Sequence, residues 1–274
     1  MNSPVQIDSP SQATRIKILS YNIQTGLTAR RYRDYIFHSW KHLLPCSQRI
    51  MNLHRIARKI SGFDVVGLLE LDGGSLRTSF INYAEYLAKE ARFPHWYEKV
   101  NRKWGRVAQH SMGLLSRYTP LEISRHDLPS RMPGRGALVV KYGSSRDPLV
   151  LVLAHLSLSR KARLLQMEYL RNVIEGYNHV VLMGDFNCGC DSRELSQLLN
   201  KTDLRMPYSN LNTYPSWKPK KHIDHILVSS TISIDSVKVL DWPISDHLPI
   251  AMDISLPMDV LLSKDPVAAK MRAA

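Results

Sequence analysis

Short apolar runs, each closed by one polar residue, organise this chain. Residues 16–21, 65–69, 149–154 and 179–184 are rich in Val, Ile and Leu, as expected of strands covered on both faces. The first run leads into Asn22, the second into Glu70 and the third into His155. The fourth leads into Asp185, with Asn187 following. Strand side chains alternate with period two, so Asp185 and Asn187 are expected on one side and Phe186 in the opposite layer. Between the runs the spacing turns helical. Residues 47–60 place Ile50, Leu53, Ile56, Ala57 and Ile60 on one stripe, and 76–91 and 159–174 read the same way. Further strands are expected at 112–115, 137–142, 223–228, 233–240 and 249–254. Two sheets packed face to face, with helices outside each, would bury this many apolar strands. If the strands are neighbours, the five polar groups meet at one sheet edge, where ligands bind in layered α/β folds.

Taken singly, these residues mean little. An Asn or Asp after a strand is ordinary turn chemistry, and a histidine near a core is usually satisfied by a backbone partner. Together they are the residue types that phosphate chemistry uses.

Composition narrows the class. The chain has 274 residues, 44% of them hydrophobic, enough for one large α/β domain. Residues 1–14 are polar, contain Pro4 and Pro10 and lack the apolar core of a secretory signal, so they read as a flexible arm. Residues 15–257 form the expected catalytic domain and 258–274 a tail. No apolar run approaches the roughly 20 residues of a membrane span. Cys46, Cys188 and Cys190 are too few for a disulfide framework, and Cys188-Gly189-Cys190 lacks the second pair that structural zinc needs. A cytoplasmic monomer is the expectation. The net charge of +13 adds a polyanion to the candidate partners, nucleic acid or the face of an anionic phospholipid membrane. Much of the excess lies between Arg15 and Lys59, where only Asp34 opposes ten basic residues.

An ordered set of motifs then carries a resemblance. Ser20-Tyr21-Asn22, Leu69-Glu70, Gly113-Leu114-Leu115-Ser116-Arg117, His155-Leu156, Gly184-Asp185-Phe186-Asn187, Ile223-Asp224-His225-Ile226 and Ser245-Asp246-His247-Leu248-Pro249 follow one another. The chain resembles the endonuclease/exonuclease/phosphatase superfamily over about residues 16–255. The resemblance implies a deoxyribonuclease I-like fold, a four-layer αββα sandwich of two mostly antiparallel mixed sheets. It implies a divalent-metal-dependent phosphoesterase that hydrolyses phosphodiester bonds by in-line attack of an activated water, with Mg²⁺ or Mn²⁺ as cofactor. Glu70, Asn22 and Asp246 would hold the metal. Asp185 would orient and deprotonate the water, and Asn187 would donate to a non-bridging oxygen. Asp224 would fix the tautomer of His247, which acts as base or phosphate clamp. His155 would contact the phosphate and protonate the leaving oxygen, while Asn22, Asn187 and Arg117 would touch substrate. Pro249 disfavours a regular strand and favours a loop that aims both Asp246 and His247 at the site.

Three positions depart from the family pattern. Leu69 stands where Gln often precedes the metal glutamate, Met112 where many relatives have Asn, and His225 where an aromatic residue or Arg follows Asp224. His222 reads as a surface residue. The stretch from His155 to Gln166, H-L-x-L followed by seven residues and Gln, resembles uncharacterised bacterial members. The substrate stays open between nucleic acid and phospholipid. The alternatives are a small phosphomonoester, or a binding module without turnover. Residues 27–44, mixing Arg, Lys, Tyr, Phe and Trp, could contact either polyanion, as could Trp104, Arg131, Arg135 and Trp217.

Overall fold

The computed structural model describes residues 13–26, 47–131, 133–206, 208 and 211–264. Residues 27–44, with most of the arm and the end of the tail, lie outside them. In chain order the first half holds β1 (Arg15–Asn22), α1 (Ser47–Ile60), β2 (Val65–Asp72), α2 (Tyr83–Glu90), β3 (His95–Trp104) and β4 (Ala108–Ser116). The second half begins with β5 (Glu122–Asp127), β6 (Gly136–Tyr142), β7 (Leu149–His155), α3 (Arg160–Ile174) and β8 (His179–Asp185). It ends with α4 (Arg193–Asn200), β9 (Leu204–Arg205), β10 (Asp224–Ser229), β11 (Ser233–Val239) and β12 (Ile250–Ser255).

The four apolar runs become two parallel pairs, β1 with β2 and β7 with β8. A parallel pair needs a long crossover, and α1 and α3 lie within those connections. Every other pairing is antiparallel, giving two six-stranded mixed sheets ordered β11-β12-β1-β2-β4-β3 and β5-β6-β7-β8-β10-β9. Alternation along each strand sorts its side chains between two cores. Val65 and Leu69 of β2 enter the inter-sheet core with Leu151, Leu153 and Met183. Val66 and Leu68 face outward onto Leu53 and Ile56 of α1 and Leu87 of α2. Val150, Val152 and Leu182 of the second sheet face Met167 and Leu170 of α3 and Leu195 of α4. The layers are therefore α, β, β, α. Gly67 sits where the sheets approach closely: a Cβ there would lie 2.6 Å from Leu153 Cδ1 and Met183 Cε.

The expected 76–91 helix is the main difference. Ser79 and Phe80 adopt positive φ, so a 3-10 turn at Leu76–Thr78 ends there, and the helix starts only after Asn82 caps the Glu85 amide at 3.1 Å. Three strands without an apolar run, β3, β5 and β9, lie at sheet edges, where one side faces solvent and needs no hydrophobic residues.

Candidate functional site

The paired strand ends build the site. Asn22 lies in register with Leu69, and His155 with Asp185, so both parallel pairs terminate at the same end of the sandwich. A register shift between Leu68 and Leu71 interrupts the β2–β4 ladder, and Glu70 within it has φ +55°. A bulge of this kind re-aims a side chain that regular alternation would send elsewhere. Asn187 also has φ +52°. Such backbone is uncommon for residues other than glycine and recurs at functional positions.

Asp185 is the hub. Its Oδ1 accepts the Asn187 amide at 2.9 Å and its Oδ2 accepts from Asn22 Nδ2 at 3.2 Å. Around Oδ2 stand His155 Nε2 at 3.5 Å and His247 Nε2 at 3.9 Å. Burial, then the nearby Asp224 carboxylate, push the Asp185 acid up to about 7. His247 Nδ1 donates to Asp224 Oδ2 at 2.8 Å, so its Nε2 is the nitrogen facing Asp185. Burial would lower the His247 imidazole, but Asp224, with Asp185 and Asp246, outweighs it and holds the ring well above its ordinary value. Thr213 Oγ1 also donates to Asp224, and the Tyr214 ring lies 4.9 Å from that of His247. The Asp246–His247 loop precedes β12 and is tied down by Ser216, which donates to Ser245 O through its hydroxyl and to Asp246 O through its amide.

His155 Nε2 accepts from Arg135 Nη1 at 2.6 Å, so its own proton is on the other ring nitrogen. Burial, Arg135 and His247 all push its basicity well below the ordinary value. At this contact Arg135 donates and the His155 imidazole accepts. Asn187 Nδ2 donates to Leu156 O at 2.9 Å, which uses one of its two amide hydrogens. Glu70, 3.9 Å from His155, is raised by burial and then by Asp246, partly relieved by His247 and the Asn22 amide.

Glu70, Asp185 and Asp246 thus crowd hard oxygen donors into one place, with two of the acids held above their usual range by burial and by other carboxylates. A divalent cation would relieve that excess, and oxygen donors of this kind suit Mg²⁺ or Mn²⁺. Asp185, Asp224 and His247 also offer ligand atoms within 4.8 Å of one another, though His247 and Asp224 already satisfy each other there.

A family model described as "Endonuclease/Exonuclease/phosphatase family" matches residues 19–247. The chain belongs to this family. Solved structures share its fold. One from Beutenbergia cavernae, an endonuclease/exonuclease/phosphatase, aligns with a TM-score of 0.68 at 18% identity, covering 88% of this chain and 72% of that one. The Bacteroides thetaiotaomicron mannosyl-6-phosphatase aligns at 0.61 with 18% identity, over 88% of this chain and 100% of the other. The catalytic domain of human Nocturnin aligns at 0.60 with 15% identity, over 89% and 95%. A comparison with curated protein sequences found no match.

Against this family frame, Asn22, Glu70, His155, Asp185, Asn187, Asp224, Asp246 and His247 converge. Arg117 does not. It follows β4 beyond Ser116, which pairs with Val65 at the start of β2, whereas Glu70 lies near the end of that strand. Its guanidinium donates to the carbonyls of Phe63, Arg92 and Ser61 and lies 4.7 Å from the centre of the Phe93 ring, so it ties loops at the opposite end of the sheet. Arg117, expected to touch substrate, is therefore placed away from the cleft.

His222, expected at the surface, is instead 5% exposed, stacked between Tyr208 and His225, and borders the cleft. His225 continues the stack onto Phe186, which explains a flat ring after Asp224. Gln166 explains its own motif. It accepts the Ser157 amide at 2.8 Å and donates to the Ser157 hydroxyl at 2.9 Å, pinning the turn after His155. His110 and Thr213, also at the site, carry no motif that marks them in the sequence.

Proposed function

We propose that this protein is a divalent-metal-dependent phosphodiesterase. The observation that carries the reading is the shape of the cleft. A cavity of about 790 Å³ and another of about 1010 Å³ share Glu70, His110, Arg135, His155 and Leu158, so space extends to both sides of the acidic centre. A phosphodiester has a substituent on each side of phosphorus and fills such a cleft; a monoester needs only one side.

Mg²⁺ or Mn²⁺ held by Glu70, Asp246 and Asn22 would supply positive charge against the non-bridging oxygens. The remaining work belongs to the side chains. Asp185, oriented by the Asn187 amide and by Asn22, takes a proton from the attacking water, as an acid titrating near neutrality does efficiently. His247, kept protonated by Asp224, donates to a phosphate oxygen as charge builds there. Arg135, held by His155, donates beside it, and Asn187 adds its second amide hydrogen. In this reading His155 positions Arg135. As the water oxygen bonds to phosphorus the bond to the leaving oxygen breaks, and that oxygen departs as an anion and takes its proton from solvent.

Purified protein with Mg²⁺ or Mn²⁺ should hydrolyse bis-p-nitrophenyl phosphate, and EDTA should abolish the reaction. Faster hydrolysis of p-nitrophenyl phosphate than of the diester would replace this reading with a phosphomonoesterase. No turnover of either would leave a binding module.

A further inference from the structure

The rim of the cleft carries exposed apolar side chains that the chemistry above does not use. They sit on two projections. One is the tip of the β3–β4 hairpin, where Trp104 is 51% and Val107 40% exposed. The start of β4 lies beside Asp72, so this hairpin projects at the catalytic end of the sandwich. Leu76 packs beside the tip, its amide donating to Arg106 O at 2.9 Å, and is itself exposed. The other is the turn from β7 into α3, where Leu158 is 75% exposed, and Leu165 lies in the second turn of α3 at 55%. Both projections border the 790 Å³ cavity, the hairpin through Asn101 and Arg102 and the turn through Leu158 and Leu165.

Cations outnumber acids beside these side chains. Arg102, Lys103 and Arg106 stand at the hairpin tip and Arg160 and Lys161 at the turn. Arg160 also lies 3.5 Å from Glu194, and Lys99 and Arg163 are buried in ion pairs with Asp127 and Glu194 and do not count toward this surface. Arg102 stacks over the Trp104 ring at 4.9 Å, leaving the ring flanked by cationic groups. Aromatic and aliphatic tips ringed by Lys and Arg match the interface of an anionic bilayer, where rings lie at headgroup level and the cations meet phosphates. A single-stranded nucleic acid would call for aromatic platforms along the groove. Among the described residues no Phe, Tyr or Trp lines the 790 Å³ cavity, and the 1010 Å³ cavity has one such ring, Tyr214, packed against His247 rather than a row of platforms.

We infer that the cleft rim, through Trp104 and Val107 on one side and Leu158 and Leu165 on the other, docks onto an anionic lipid surface. This rests on the phosphodiesterase reading in that docking would present a lipid headgroup ester to Glu70 and Asp185.

The test is sedimentation with phosphatidylcholine vesicles, with and without phosphatidylglycerol, in EDTA so that no turnover intervenes. Wild type should pellet with the anionic vesicles. Trp104→Ser/Val107→Ser and Leu158→Ser/Leu165→Ser should each lower the partition coefficient by about tenfold or more, as expected for withdrawing two apolar side chains from an interface. All four positions are exposed, and a thermal melt matching wild type confirms that the variants fold. Absence of vesicle binding by wild type, partitioning unchanged in both variants, or tight binding of single-stranded DNA in place of vesicles would each overturn the inference. Hydrolysis of the soluble diester is scored separately. Vesicle binding without diester hydrolysis would remove the enzymatic reading and leave the docking surface standing.

Discussion

Replacing Asp185 by Asn should remove most turnover and, without metal, make the protein more stable. Asp185 is 2% exposed, and burial with the neighbouring Asp224 lifts its acid from 3.8 to about 7. An acid raised on folding binds its proton more tightly in the native state. Its full contribution to stability is therefore present below pH 3.8 and is lost as pH rises through 7. A displacement of about 3 pH units corresponds to roughly 4 kcal/mol of stability lost above pH 7. Asparagine carries no charge to desolvate. It keeps an acceptor for the Asn187 amide but turns an NH₂ toward Asn22 Nδ2, at a cost of about 2 kcal/mol for the lost hydrogen bond and the facing donors. The net gain at pH 8 is about 2 kcal/mol, or roughly 4 °C in melting temperature for a protein of this size. At pH 4 the gain disappears and the variant melts at or below wild type. Turnover falls by about 10² to 10⁴, the usual loss when a general base is removed. The assay is a pair of melting curves in EDTA at a series of pH values, beside diester hydrolysis with metal. A difference in melting temperature that does not change between pH 4 and pH 8 would show that Asp185 is not an uncompensated buried acid. Near wild-type turnover would remove it from water activation.

Three further outcomes follow from the same geometry. Glu70→Gln should raise the Mg²⁺ or Mn²⁺ concentration for half-maximal activity by about tenfold or more, and an unchanged titration would take Glu70 out of the metal set. Arg135→Met should lower kcat by about 10², as for loss of one donor to developing charge, with the fold retained; a rise in KM alone would confine Arg135 to ground-state binding. Gly184→Ala should destabilise the protein by about 4 kcal/mol or prevent folding, because φ is +140° there and the new Cβ would lie 1.9 Å from Ala154 O. A urea midpoint close to wild type would show that β7 and β8 can separate at that point.

The sequence by itself determined the four apolar strands and most of the polar residues at their ends; that they form two parallel pairs was decided by the tertiary structure. Burial on both faces makes β2, β7, most of β8 and the second half of β1 mainly apolar, so the change to Asn22, Glu70, His155 and Asp185 is visible without coordinates. It also indicated a loop at Asp246 and His247, since Pro249 disfavours a regular strand and β12 starts only at Ile250. Tertiary structure decided what periodicity does not encode. The edge strands β3 and β5 carry mixed residues because solvent takes one side of them, and Ser79 and Phe80 end a helical pattern through backbone conformation alone. Arg117 and Arg135 look alike along the chain. Arg117 lies at the far end of the first sheet among backbone carbonyls, while Arg135 immediately precedes β6, whose first residue Gly136 pairs with His155. Which cation serves the site is set by strand direction and register, and those arise from contacts between residues distant in sequence. His222 is similar: it stacks on His225 three residues on and on Tyr208, which reaches it by bonding through its hydroxyl to the Ile226 backbone. A lone histidine carries no sign of such a stack until the sheet is assembled.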